Sequence, residues 1–342
     1  VKTRLLIVLL LLASRMAFGQ VGGEGTYRFL DLTTSARSAA LGGYQVALDD
    51  NDLDLVFHNP ALLRDTMRNQ LVLNYVDYFS DIKFGYASYA WHLNKIGTVA
   101  AGIHFIDYGK FIEAREDGTI TGTFRAAEYA LNIYWARQIT PRLRGGINIK
   151  PIYSVLETYH SFGLAMDAGL ILSGRDNQST VALVAKNIGT QITTYYQDGN
   201  YEKLPFDLQF GFSKRLEHAP LRLMFTAHHL TNWNLTYNEV TSGTTTSSLT
   251  GTTSESSVSK VMRHLILGAE LLPSKNFTIR VGYNHQRRKE LSVESRPGMV
   301  GFSAGFGVRI SKFNLSYGLA SYHIAGASHH FSISTNLSQF LP

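Results

Sequence analysis

The chain has 342 residues, a formal net charge of +6 at pH 7, 12% aromatic residues, eight prolines and no cysteine. The charge is too small to argue for nucleic acid, and no basic cluster interleaved with aromatics supports one, so no nucleic-acid partner is expected; without cysteine, no disulfide holds the fold. Abundant aromatics with scarce proline suit unbroken β-ladders, and no linker-like shift in composition divides the chain.

Lys2 and Arg4 precede an apolar run from Leu5 to Ala13, and Ala17-Phe18-Gly19 places small residues at a cleavage site. This predicts a secretory signal over 1–19, cut after Gly19. The run is too short for a spanning helix, which needs about 20 residues. Removing Lys2, Arg4 and Arg15 takes the charge from +6 to +3. An exported chain without cysteine needs another device to close its structure, and barrel closure supplies one.

Residues 20–66 differ from everything that follows. Ser35 to Leu48 is rich in small residues, has adjacent Gly42 and Gly43, and lacks the period of an amphipathic helix. Asn59-Pro60-Ala61 ends the stretch. As a Gly-rich turn and proline-capped loop it is ordinary; as the preface to a long strand series, it is expected to plug what those strands build. Asp50, Asp52 and Asp54 have the alternate spacing of a calcium loop, but Leu55 and Val56 replace its glycine and no glutamate closes it, so a solvated turn is expected. Gly22-Gly23-Glu24-Gly25 follows no strand and is no dinucleotide motif.

From Gln70 a period of two recurs. Leu71, Leu73 and Tyr75 alternate with Val72, Asn74 and Val76; Tyr129, Leu131, Ile133 and Trp135 alternate with Glu128, Ala130, Asn132 and Tyr134. The same pattern is carried by Phe206 to Phe212, Phe277 to Tyr283 and Val300 to Val308. Neighbouring strand side chains point to opposite faces, so each run has an apolar face and a small or polar one. Fourteen strands are expected, near 70–78, 83–92, 96–107, 126–137, 142–153, 160–172, 179–187, 204–215, 220–230, 260–272, 276–285, 299–310, 313–323 and 329–339. The connections sort by length: short ones such as His92–Lys95, Gln138–Pro141 and Pro273–Lys275 alternate with long ones such as Tyr108–Arg125, Ile188–Lys203 and Thr231–Ser259. A transmembrane barrel has this asymmetry, with brief periplasmic turns and longer outer loops. Its strands need about 9–11 residues.

The expected architecture is therefore all-β: a transmembrane antiparallel barrel over 67–342 with an N-terminal plug over 20–66. Lipid offers the backbone no partners, so only a closed ladder is tolerable there. Glu128, Arg144, Lys150, Asp167, Asp207 and Arg280 share the phase opposite the apolar face and are assigned to the lumen, read as a surface of Gly, Ser, Asn, Gln and charges. Residues 239–259, nearly all Ser, Thr and Gly, are expected to be a disordered outer loop. The final strand, Phe331 to Leu337 with Phe340 beyond it, is the apolar, aromatic-ended signal that barrel-insertion machinery is expected to read.

Little chemistry is visible. His228-His229 and His329-His330 are the metal suspects, but adjacent strand residues face opposite ways, so neither pair is expected to chelate one ion. Asp107, Tyr108 and His160 end strands on the loop side, where a rim hydrolase would hold its groups. No phosphate loop or Gly-x-Ser-x-Gly elbow occurs. No enzyme activity, cofactor or metal is expected.

Phe29-Leu30-Asp31-Leu32, Ser35-Ala36-Arg37, Ala40-Leu41-Gly42-Gly43 and Asn59-Pro60-Ala61-Leu62-Leu63 resemble the opening of the PorQ family of type IX secretion proteins, within the FadL-like class of outer-membrane barrels. Tyr108-Gly109-Lys110-Phe111, Asp117-Gly118 and Val184-Ala185-Lys186-Asn187-Ile188-Gly189 extend the resemblance, which runs from about Gly25 to the C-terminus. It implies a 14-stranded FadL-like barrel whose partners are outer-membrane lipid, lipopolysaccharide and the surface attachment complex with PorZ, the sortase-like PorU and PorV. That complex transfers cargo with C-terminal signal domains to lipopolysaccharide, and this barrel would anchor it without being its enzyme. Arg37 and the Asn59-Pro60 turn are expected to fix the plug. The alternative within the class is a channel for hydrophobic small molecules, which requires an apolar pocket in the barrel.

Overall fold

The computed structural model describes residues 25–94, 96–176, 178–196, 199–233, 235, 257–291, 298–323 and 326–340. The proposed signal over 1–19 and the Ser/Thr stretch up to residue 256 lie outside the described residues.

Fourteen strands follow one another: β1 (Gln70–Asp77), β2 (Lys83–Leu93), β3 (Gly97–Ala114), β4 (Ile120–Gln138), β5 (Leu143–Leu156), β6 (Tyr159–Ser173), β7 (Ser179–Thr193), β8 (Asp207–Arg215), β9 (Leu221–Ala227), β10 (Leu265–Leu271), β11 (Phe277–Asn284), β12 (Phe302–Ile310), β13 (Phe313–His323) and β14 (Gly326–Asn336). Each pairs antiparallel with its chain neighbours, and β1 closes the barrel on β14 from Gln70↔Asn336 to Asp77↔His329. Closure leaves no strand edge, so every ladder amide has a partner without water.

The apolar phase faces outward. Leu73, Tyr75, Leu131, Ile133, Phe306 and Phe331 are each 45–48% exposed, a level that a water-soluble core would not permit along strand centres. A continuous belt of this kind on a closed barrel is a lipid-contacting surface.

Three expectations need correction. The hairpin of β3 and β4 continues well past Asp107, with Lys110↔Arg125 and Phe111↔Phe124 paired, so most of 108–125 is strand. β7 likewise runs on to Thr193. Residues 257–259 open a short helix, α2 (Ser257–Arg263), so the last part of the 239–259 loop is ordered; α3 (His285–Leu291) interrupts another long connection.

The segment before β1 lies inside the barrel. It consists of short 3-10 turns at Arg28–Asp31, Leu53–Phe57, Pro60–Leu62 and Asp65–Met67, with one brief helix, α1 (Ala36–Ala40). The Ser35 side chain caps α1 by accepting the Ser38 N–H at 3.2 Å. Leu41, Leu48, Leu55 and Leu62 are completely or almost completely buried, in one cluster with Val72, Tyr86, Tyr134 and Ile171 of the wall. The lumen face is thus more apolar than its Gly, Ser, Asn and Gln reading: opposite the hatch it carries a second core, because the hatch has greasy residues to cover.

Candidate functional site: the hatch anchor, the wall network and the outer mouth

Arg37 projects from α1 into a hub at the short-turn end of the barrel. Its Nε and Nη2 donate to both Glu270 carboxylate oxygens of β10 at 2.8 and 2.9 Å. Its Nη groups also donate to Asp50 at 2.7 and 3.1 Å and to Asp52 at 2.8 Å. Arg222 of β9 binds Asp50 and Glu270, and Arg280 of β11 binds Glu270 at 3.0 Å. Three guanidiniums therefore meet three carboxylates, with hatch and wall contributing to each set. Burial opposes ionisation of Asp50, but Arg37 and Arg222 outweigh it and hold the carboxyl well below its usual range. Asp50 and Asp52 do not form the solvated turn expected of them; they are the acidic half of this clasp. A polar cavity of about 500 Å³ opens beside the hub, lined among others by Arg37, Asp52, Arg280 and Ser316.

Asp54 turns the other way and is buried, accepting from Asn74 Nδ2 at 2.5 Å and Ser332 Oγ at 3.3 Å. Burial and the nearby Asp52 charge push its carboxyl up to about 6.

Gly42 and Gly43 sit at φ +100° and +127°, where a side chain is strained, and a Cβ on Gly42 would stand 2.7 Å from Ile266. Asn59 caps the next turn, accepting the Ala61 N–H at 2.9 Å and donating from Nδ2 to Val46 O at 2.8 Å. Pro60 occupies the first position of that turn, where no N–H is needed. This corner presses on Gly146 and Gly169, where a Cβ would overlap Pro60 and Asn59. Arg144 hydrogen-bonds Ala61 O and pairs with Asp49, so the Asn-Pro-Ala corner is also tied by charge.

The remaining lumen-phase charges are buried inside the barrel. Lys150 pairs with Asp167 at 2.7 Å and hydrogen-bonds Asn187 Oδ1. Asp167 also accepts the Asn187 N–H at 2.8 Å and Asn148 Nδ2 at 3.1 Å. This network lies where the wall is irregular. β6–β7 shifts register between Met166 and Ala168, with Asn187 at φ +58°, and β4–β5 pairing skips Leu131 and Asn132 opposite Lys150 and Pro151. Pro151 has no N–H to give, and the Asn187 N–H goes to a carboxylate instead of a strand. Asn187 stands in the sequence only as part of the Val184–Gly189 motif, and its tolerance of a left-handed backbone is what suits it to this place.

At the long-loop end, Gly25, Tyr27, Tyr108, Phe124, Tyr159, Tyr195 and Tyr196 line an open cavity of about 450 Å³. Tyr108 donates to Glu128 at 2.5 Å, Tyr195 donates to Ser154 at 2.7 Å, and Tyr27 shares a 2.5 Å bond with Ser161. Burial pushes the Tyr27 phenol up to about 12, keeping it neutral. Tyr27, Tyr108 and Tyr195 are thus held by their hydroxyls, and Arg28, Glu157 and Glu202 line the same space. Of the rim groups considered for hydrolysis, Tyr108 is engaged by Glu128, Asp107 accepts the Gly109 N–H at 2.8 Å, and His160 is exposed.

Asp207 and Lys186 pair with each other at one end of the β7–β8 ladder, and Asp207 Oδ1 accepts the His229 N–H at 2.6 Å. Of the two histidine pairs, His329 and His330 do face opposite ways: His329 bonds Tyr317 outside, His330 bonds Ser328 inside. His228 and His229 do not. β9 ends at Ala227, His229 is left-handed at φ +53°, and the two rings come within 4.8 Å.

The barrel with its internal hatch is the fold of the FadL-type transporters. The toluene transporter TbuX of Ralstonia pickettii superposes at TM-score 0.53 with 11% identity, covering 90% of this chain and 99% of its own. The toluene transporter TodX of Pseudomonas putida gives 0.51 with 13% identity over 89% and 96%. A FadL homologue of Pseudomonas aeruginosa gives 0.50 with 10% identity over 89% and 98%. No protein-family model matches the chain, and no curated protein matches it. At these identities the likeness is one of fold.

Proposed function

We propose that the chain is an outer-membrane barrel of the FadL type that admits a small hydrophobic molecule, monoaromatic in size, through the tyrosine-lined mouth. The observation that carries this reading is the mouth itself: about 450 Å³ of open space lined by six aromatic rings together with Arg28, Glu128, Glu157 and Glu202. That volume falls within the range of small-molecule sites. TbuX and TodX, which share this fold, are toluene transporters, which supports a ligand of that class. The bolted hatch does not oppose it, because an apolar solute that leaves sideways into lipid need not pass the hatch. The wall at β4–β7 is interrupted, with pairing skipped between Ala130 and Ile133 and a register shift between Met166 and Ala168.

The test is uptake of radiolabelled toluene by cells exporting this chain. The reading expects faster uptake than in cells without it, reduced by Tyr195→Ala combined with Tyr196→Ala. Equal uptake with and without the chain would overturn it.

A second reading, anchoring of the type IX attachment complex, is favoured by the ordered motifs from Phe29 to Gly189 and by a hatch clasped through Arg37. The comparisons lend their support to the channel instead. If removing the chain depletes PorZ-like and PorU-like proteins from the cell surface while toluene uptake is unchanged, the anchoring role is the correct one.

A further inference from the structure

We infer that Asp207, His228 and His229 form a binding site for a divalent transition metal of zinc character, at the long-loop end of β8 and β9. One ligand atom from each of the three residues lies within 4.8 Å of the other two. The Asp207 Oδ1 to His229 Nδ1 distance is 3.5 Å. Ligands of a tetrahedral zinc ion, bound at about 2.0–2.1 Å, stand roughly 3.3–3.4 Å apart. One edge of the site is therefore close to its final length, and the edges to His228, at most 4.8 Å, close by no more than about 1.5 Å through a small turn of its ring.

The independent observation is His228. It is 1% exposed, and neither ring nitrogen has a hydrogen-bond partner. A buried imidazole left this way forfeits about 1–3 kcal/mol of desolvation that a bond would recover. Its ring is held edge-on by Tyr44 at 5.6 Å and by His229 at 4.8 Å. Its backbone is fixed as well, the His228 N–H donating to His264 O at 2.9 Å. The residue is placed, and its nitrogens are spare.

The second ligand is set by backbone geometry. The left-handed His229 turns its ring back toward the one before it, and the Asp207 carboxylate that receives the His229 N–H holds that turn. Gln209 Nε2 donates to the other Asp207 oxygen at 2.6 Å, orienting the carboxylate as outer partners of metal ligands do. Two imidazoles and one carboxylate make a set that suits zinc, cobalt or iron(II) over calcium or magnesium. With three protein ligands, a position is left for water or a small donor ligand. Asp31 of the hatch acts on the same cluster and adds negative charge, while Arg287 faces His228 and Lys186 lies near Asp31, opposing it. His229, with one fifth of its side chain exposed, is the side from which an ion enters.

The experiment uses the full chain, purified in detergent without a histidine tag, stripped with chelator and titrated with zinc chloride, with cobalt(II) as the spectroscopic probe. The expected result is one zinc per chain and a visible cobalt absorption band, both at least tenfold weaker in affinity in His229→Ala. His160→Ala, at the exposed rim, should leave both unchanged. Heat-dependent gel migration shows that each variant has formed its barrel; should His229→Ala fail this, His228→Gln takes its place. No stoichiometric zinc, or zinc held as tightly by a folded His229→Ala, would overturn the site.

Discussion

Replacing Arg37 by glutamine removes one of the three cations in the hatch clasp and leaves Asp50, Asp52 and Glu270 facing only Arg222 and Arg280. Arg37 is 7% exposed and Glu270 is fully buried, so water cannot reach the charge left on Glu270. Asp50 and Asp52, about a quarter exposed, are partly compensated from the adjoining cavity. Losing one member of a buried ion network costs about 3–5 kcal/mol, and that compensation places the cost here toward the lower end of the range. At 1.36 kcal/mol per decade the range moves the docked–undocked equilibrium of the hatch by roughly two to four decades. Hydrogen exchange in detergent reads this directly: the amides of α1 and of Leu41 to Gly43 should lose protection by that factor, while the β-ladder amides keep theirs. Adding Glu270→Gln restores the balance, with two cations against two anions, and should recover part of the protection despite removing a further set of hydrogen bonds. Unchanged hatch protection in Arg37→Gln, or a double variant worse than the sum of the singles, would refute the charge-balance argument.

Asp54 gives the hatch a pH dependence of known sign. Its folded carboxyl titrates near 6, above the unfolded value, so its contribution is fully present below that unfolded value and is lost as pH rises through 6. Hatch protection should therefore be higher at pH 5 than at pH 7.5, and Asp54→Asn should flatten the difference; Asp50, held low by its guanidiniums, stays ionised throughout this window. Gly169→Val drives a side chain into Asn59 and should loosen the Asn-Pro-Ala corner by about 1–3 kcal/mol, seen as faster exchange at Ala61 and Leu62. Leu131→Arg places a charge on the lipid face at about 2–4 kcal/mol and should lower the yield of heat-modifiable barrel, whereas Leu131→Phe should not.

The strands were legible because lipid and lumen impose opposite demands on alternate residues. Leu131 and Ile133 face out while Asn132 faces in, and no tertiary detail is needed to see it. The upper β3–β4 hairpin was not legible: Lys110, Glu113, Arg115 and Glu116 break the alternation, since strand that rises clear of lipid carries charge at no cost. Arg37 stands out through its motif, but its partners Asp50 and Asp52 look like a solvated turn, and nothing local marks Glu270. Only folding the hatch back into the barrel makes them a clasp. Nothing local to Gly146 and Gly169 says that Pro60 and Asn59 occupy the space beside them. His228 and His229 were misread because strand alternation was assumed to continue past Ala227, where a left-handed residue ends it.

The chain's lack of cysteine allows a direct test of the lipid belt on which the whole account stands. Single Leu131→Cys and Asn132→Cys variants, labelled with a nitroxide during refolding into bilayers, report collisions with membrane-dissolved oxygen and with a water-soluble nickel complex. The account predicts high oxygen and low nickel accessibility at 131 and protection from both at 132. Equal nickel accessibility at the two positions, or greater at 131, would contradict it.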